Sequence, residues 1–408
     1  MTAISLRLMR SRLAGSSLAR MLRREGAPTA KKAVVLPRTP AYVVVCATVI
    51  VLNVVGLVMI LSASSVAALS SYGSSWYFFN RQLLWCLVGA LAFIATARMD
   101  YHRWRPMAPW ILVATVALLA LVLMPGIGVQ VDGSRRWLGI GDLRMQPSEL
   151  AKIALLFFGA DLLTRRQESM TNWRAWSPML VVLGGLGFLV ILEPDLDSTI
   201  VLSLITFGLL LIGGARLKHL SGLASIGIAT ATVLALAAPY RRARVFAFLD
   251  PWSDTSNTGY QIAQSLIAIG SGGVDGVGLG AGRAKWLFLP NAHTDFIFAI
   301  IGEELGLIGC IAVLGLFAGF GLAGFHVAQH APDRFGMLLA AGVTIWVVGQ
   351  ATINLGAVVG LLPVSGITLP FLSAGGSSLA ITMAAAGLLA NVARQAQPSM
   401  RAASTRAR

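Results

Sequence analysis

Residues 41–62 read AYVVVCATVIVLNVVGLVMILS, twenty-two positions without one charged side chain. Wound as a helix at 1.5 Å per residue, such a run covers the ~30 Å hydrocarbon core of a bilayer. Further apolar runs fall at about 81–97, 107–125, 148–164, 178–193, 196–213, 220–239, 296–325, 335–358 and 376–393. The sequence therefore predicts an all-α polytopic membrane protein with ten spans. Composition agrees. Charged residues are 12% of the 408, about half the ~25% of a soluble domain, and hydrophobic residues are 56%. A soluble globule that apolar would lack polar surface. Cys46, Cys86 and Cys310 all sit inside apolar runs and read as small core residues, with no disulfide framework and no metal site. A cleaved signal peptide is not expected, because the first run follows a long basic tail without an isolated short apolar core.

Ten spans put both termini on one side, and charge chooses the side. Of 32 Lys and Arg, 22 lie in the N-terminal tail, 98–105, 165–174, 214–219, 326–334 and the C-terminal tail. The positive-inside rule makes that set cytoplasmic. Most of the net +15 is thus a topology signal rather than a nucleic-acid patch, and no nucleic-acid partner is expected. The chain divides into a basic cytoplasmic tail (1–40), a membrane domain (41–393) with a large extracytoplasmic loop at 240–295, and a second cytoplasmic tail (394–408). Within the loop, Ile262, Ala263, Leu266 and Ile269 have helical spacing and predict a short helix over 260–269 at the outer membrane surface. The glycines at 272, 273, 276, 278, 280 and 282 lack the strand and helix that a dinucleotide-binding loop needs, and read as a flexible or tightly turning segment.

Three clusters carry possible chemistry, all on the extracytoplasmic side. The strongest is NAHTDFIFAIIGEELG, 291–306. Thr294 is a suitable N-cap, which places Asp295 in the first turn of the eighth span, where helix N–H groups stabilise a carboxylate. His293 stands beside it, and Arg283 and Lys285 lie in the preceding loop. An anion at a membrane–water boundary near cations suits a general base; an ordinary first-turn Asp is the plainer alternative. Glu303 and Glu304, inside the span, need partners and read as either a polar relay or a buried ion pair. The second cluster, SRRWLGIGDLRMQPSELAK at 134–152, brings Arg135, Arg136, Arg144, Glu149 and Lys152. Arginines on that side suit an anionic ligand, although Glu149 and Lys152 at i, i+3 also suit each other. The third, EPDLDS at 193–198, puts Glu193, Asp195 and Asp197 at a turn, fit for a divalent cation or for pairing with the arginines.

These segments, with NLGAVVGLLPVSGITLPFLSAGGSS at 354–378, resemble the SEDS (shape, elongation, division and sporulation) family of peptidoglycan glycosyltransferases, its division branch more than its elongation branch. The resemblance spans about 40–393 and implies the same ten-span, both-ends-inside topology. It implies a substrate, undecaprenyl-linked lipid II with the nascent glycan strand, used outside the cytoplasmic (inner) membrane and enriched at the division septum. It implies partners: a class B penicillin-binding transpeptidase and other division membrane proteins. It places the family's essential carboxylate on Asp295. Departures are Glu193, Asp197 and Ser198, where the family usually writes Gln-Pro-Asp-Leu-Gly-Thr at this turn, and Ala374 in place of an aromatic residue.

On this reading a sugar hydroxyl displaces a lipid pyrophosphate, Asp295 takes the proton, and the anomeric centre inverts without a covalent intermediate. Arg136, Lys152, Arg283 and Lys285 are the cations for the leaving pyrophosphate, with or without Mg or Mn. His293, Glu193, Asp195, Glu303 and Glu304 complete the expected substrate-binding set. Two rival readings are a flippase for the same precursor and a non-catalytic division scaffold. Against the flippase, the two halves show no internal repeat, and the polar residues gather on one face rather than at the midplane.

Overall fold

Thr39 caps the start of the first helix. Its hydroxyl accepts the N–H of Tyr42 (3.2 Å), and Pro40 fills the first helical position, where a missing N–H costs nothing. The helix ends at Gly73, whose φ of 71° permits the left-handed cap. The computed structural model describes residues 39–131, 134–140, 143–237, 239–252, 259–286 and 288–396, so nearly all of both expected tails lies outside the described residues.

Each of the ten expected spans coincides with a helix. In chain order they are α1 (Pro40–Tyr72), α2 (Tyr77–Arg98), α3 (Ala108–Leu123), α4 (Pro147–Arg165), α5 (Trp173–Leu192), α6 (Leu196–Gly213), α7 (Leu217–Ala237), and then α10 (Ile297–Gln329), α11 (Arg334–Val358) and α12 (Ser377–Gln395). Between α7 and α10 run α8 (Pro239–Leu249) and α9 (Tyr260–Gly272). Eight of the ten are long and apolar enough to cross a membrane by length and composition. The exceptions are α3, apolar but only 16 residues long, and α4, which carries Glu149, Lys152, Asp161 and Arg165. The protein is a polytopic helical membrane protein.

Helix α12 is the most enclosed of the apolar spans and α7 the least. A Cβ on Gly387 of α12 would meet the Thr96 side chain and Phe93 backbone of α2, so small residues set that close crossing. Trp346, Phe320, Phe335 and Phe371 are among the large side chains fully enclosed in the bundle, and the Phe320 ring of α10 lies against Phe371 of the segment joining α11 and α12, centroids 6.0 Å apart. The large apolar side chains left exposed, such as Val181, Ile228 and Leu322, lie on outer helix faces, as expected where lipid replaces water as solvent.

Two features differ from the sequence expectation. The 126–147 loop contains an antiparallel meander: β1 (Val129–Val131), β2 (Ser134–Ile140) and β3 (Leu143–Met145), with Gln130 opposite Arg135 and Gly139 opposite Arg144. β1 and β3, of three residues each, are too short to show a period of two, and β2, reading SRRWLGI, does not alternate polar with apolar side chains. The 240–295 loop holds the expected helix, α9, with Ile262, Ala263 and Ala268 buried, and also α8, whose alternation of arginines with apolar residues hid it.

Candidate active site

Asp295 lies in a tight turn, not in the first turn of α10. Asn291, at φ 55°, turns its carbonyl to the N–H groups of Thr294 (3.1 Å) and Phe296 (3.4 Å) and to the Thr294 hydroxyl (3.1 Å). That hydroxyl donates backwards, and no side chain caps the start of α10. The helix starts at Ile297, with Asp295 two residues ahead of it. This corrects the expected cap.

Two other segments close on the turn. Asn354 of α11, 1% exposed, donates through Nδ2 to the backbone carbonyls of Asp295 (2.8 Å) and Ile367 (2.7 Å). It thereby ties the turn to the segment 359–376. In that segment the N–H of Gly366 donates to Asp197 Oδ2 (3.0 Å), and a Cβ on Gly366 would stand 3.0 Å from that oxygen and 4.0 Å from Asp295 Oδ2. Gly366 thus runs between two carboxylates, where a side chain would crowd Asp197 and touch Asp295. His293 rests its ring on Phe78 of α2, centroids 4.4 Å apart, and its carbonyl accepts the N–H of Ala374 (3.0 Å). Burial lowers the His293 pKa to about 4, so this imidazole is neutral at physiological pH.

The α5–α6 turn is built around Asp195, the N-cap of α6 and 2% exposed. Its carboxylate accepts the Ser198 N–H (3.1 Å), the Ser198 and Ser148 hydroxyls (2.7 and 3.0 Å) and the Gln146 amide (2.8 Å). With both of its oxygens taken, Asp195 is not free to ligate a divalent cation. Among the described residues, no three His, Cys, Asp or Glu side chains gather as such a site. Arg136, half-buried on β2, donates Nε to the backbone carbonyl of Glu193 (3.2 Å).

Lys152 is 2% exposed and bonds Glu149 (2.8 Å) and Gln350 (3.3 Å), with the Trp346 ring centroid 5.6 Å away. Gln350 in turn donates to the Thr368 carbonyl (3.0 Å). The pair thus anchors α4 to α11 and to the 359–376 segment. It takes the ion-pair alternative, and Lys152 is enclosed rather than offered to a substrate.

Glu303 and Glu304 sit beside a break in α10. At Gly306 (φ 64°, ψ −162°) the helix is interrupted, and the chain from Gly273 to Gly278 fills the gap. There Val277 and Gly278 donate N–H to the carbonyls of Glu303 (2.9 Å) and Glu304 (3.1 Å), while Leu307 and Ile308 donate to Gly273 (3.0 Å) and Val274 (3.3 Å). The glycine-rich stretch is a clasp on a broken helix. The side chains extend it. Glu303 accepts the backbone N–H groups of Arg283 (2.7 Å) and Ala284 (3.2 Å). Glu304 accepts the Ser62 hydroxyl at both oxygens (2.7 Å) and pairs with Lys285 (3.2 Å), which also bonds the Gly280 carbonyl. Of the four expected pyrophosphate cations, Lys152 and Lys285 are enclosed in ion pairs, Arg136 is half-buried and Arg283 is exposed.

Sequence reasoning missed Asn354, Ser62 and Gln350. The first and last had a signal, being amide side chains inside an apolar span; Ser62 had none, since serine is common in such helices.

The segments that meet at Asp295 are the ones that carry the resemblance. Residues 42–398 match the family model FTSW_RODA_SPOVE, described as cell cycle protein. The chain belongs to that family. It is 41% identical to stage V sporulation protein E of Bacillus subtilis, over 87% of this chain and 97% of that one. It is 43% identical to the probable peptidoglycan glycosyltransferase FtsW of Mycobacterium tuberculosis, over 88% and 68%. Among solved structures, one chain reported under "Structural coordination of polymerization and crosslinking by a peptidoglycan synthase complex" superposes with a TM-score of 0.72 at 29% identity, over 89% of this chain and all of that one. The rod shape determining protein RodA of Thermus thermophilus superposes with a TM-score of 0.64 at 27% identity, over 87% and 97%.

Proposed function

We propose that this chain is a peptidoglycan glycosyltransferase of the FtsW type, polymerising lipid II during septal wall synthesis with Asp295 as general base. The observation that carries the reading is the convergence on Asp295 of three segments distant in sequence: the 291–296 turn, Asn354 with the 359–376 segment, and Asp197 beyond the α5–α6 turn. A carboxylate fixed by its backbone and set in a half-buried position suits proton abstraction.

In the reaction a sugar hydroxyl of one lipid-linked unit attacks the anomeric carbon of another. The new glycosidic C–O bond forms as the bond to the pyrophosphate oxygen breaks. The proton goes to Asp295, and the electron pair leaves with the lipid pyrophosphate, so one displacement inverts the centre. Arg136 and Arg283 are the cations assigned to the leaving group; Lys152, Lys285, Glu303, Glu304 and Asp195 hold the scaffold around it. A divalent cation would add charge at the pyrophosphate and is not needed to assemble the protein groups described.

The ten helices are read as ten spans with both termini in the cytoplasm and the 240–295 loop outside, in the cytoplasmic (inner) membrane at the septum. Similarity to a chain of a polymerising and crosslinking complex supports a class B transpeptidase as partner, alongside other division proteins. Purified protein in vesicles, given fluorescent lipid II and its cognate transpeptidase, should yield a ladder of glycan polymer. Transbilayer movement of lipid II without polymer would instead identify a flippase.

A further inference from the structure

The α5–α6 turn holds a carboxyl group that the proposed chemistry does not use. Glu193 is 1% exposed, and neither of its side-chain oxygens has a hydrogen-bond partner. Its surroundings explain why. The donors at this turn, from Gln146, Ser148 and Ser198, all serve Asp195. Arg136 on β2 is the cation acting on Glu193, and it spends Nε on that residue's backbone carbonyl rather than on the carboxyl. From α4, Glu149 and Lys152 pair with each other. From α6, Asp197 accepts the Gly366 N–H, and the 359–376 segment has no titratable residue.

A carboxylate buried here without donors, beside the charge of Asp195, is costly; a carboxylic acid is much less so. Burial and the Asp195 charge push the Glu193 pKa up to about 8, against a smaller opposing effect of Arg136. We propose that Glu193 is held as the neutral acid at neutral pH, and that its ionisation is an alkaline switch which loosens the turn behind the active site. The route is short. Ionised Glu193 repels Asp195, the cap of α6, and two residues on Asp197 holds Gly366 next to Asp295. Only this last link rests on Asp295 being the base.

The test uses the full chain in lipid nanodiscs, its infrared spectrum recorded from pH 6.5 to 9.5 and its polymerisation of lipid II measured over the same range. A protonated-carboxyl band should be present at pH 7, disappear with a midpoint near 8, and be missing in Glu193→Gln. The neutral fraction falls about tenfold between pH 7 and pH 9 for such a group, so wild-type activity should fall about tenfold more over that interval than activity of Glu193→Gln. An identical band in both proteins, or an identical alkaline limb, overturns the proposal, as does a band that titrates while activity stays level. Should Glu193→Gln not fold, Arg136→Gln serves. Loss of that cation must move the band's midpoint to higher pH, and an unmoved midpoint overturns the assignment. The infrared arm does not depend on which residue is the base, so an error about Asp295 leaves it intact.

Discussion

At the scale of single residues, one amide decides where the backbone of Asp295 lies. Both N–H bonds of Asn354 are committed, to Asp295 and to Ile367. Asn354→Leu keeps the size and removes both donors, and the buried Ile367 carbonyl alone loses about 1–3 kcal/mol with its partner. Thermal unfolding in detergent should show that loss, and polymerisation per folded molecule should fall as well; unchanged turnover would detach Asn354 from the site. Asp295→Glu keeps a carboxylate but moves it by one methylene. A misplacement of that order costs roughly 10²-fold in rate, so this variant should be badly impaired although its charge is intact. Asp295 was legible from sequence because a carboxylate, a histidine and a span boundary coincide within 291–297. Its true setting was not, because the Asn291 turn that captures Thr294 depends on one positive φ.

At the scale of elements, the apolar runs were sufficient for all ten long helices, since each must satisfy its own backbone within lipid. The break in α10 was invisible: a glycine within GEELG reads as a tolerated helical position, and only the turning segment 273–278 that bonds to it shows why the helix opens there. The φ and ψ of Gly306 belong to a region reserved for glycine, so Gly306→Ala should cost about 1–3 kcal/mol and lower the melting temperature. The Lys285–Glu304 pair makes the complementary case. Both side chains are almost fully enclosed, so Glu304→Gln strands a buried cation and should destabilise by about 3–5 kcal/mol. Replacing both partners by Met removes the charges together and should cost far less than the single change. If single and double variants melt together, the pair does not hold the clasp.

At the scale of the whole molecule, the proposed sidedness rests on charge asymmetry alone. A reporter fused after Arg408 and another inserted at Asn257 should fall on opposite sides of the membrane; a shared side would contradict the ten-span reading. On the side opposite the proposed active site, His102 bridges Asp100 (2.8 Å) and Asp333 (2.8 Å), linking the turn after α2 to the cap of α11. Burial opposes its charge, yet the hydrogen bonds and charges of the two aspartates prevail and raise its pKa. The stability from this link is therefore fully present below the unfolded histidine value of about 6.5 and is lost as pH rises through the higher folded value. The melting gap between wild type and His102→Asn should narrow from pH 6 to pH 9, and a constant gap would show that the bridge does not depend on charge. The central claim, that this bundle is a polymerase with Asp295 as its base, is met most directly by Asp295→Asn. Asn is nearly isosteric, and the backbone bonds that hold the turn do not involve the side chain. The variant, purified with wild-type yield and melting temperature and supplied with lipid II and the cognate transpeptidase, should make no glycan polymer. Near-normal polymer from that folded protein would contradict the claim.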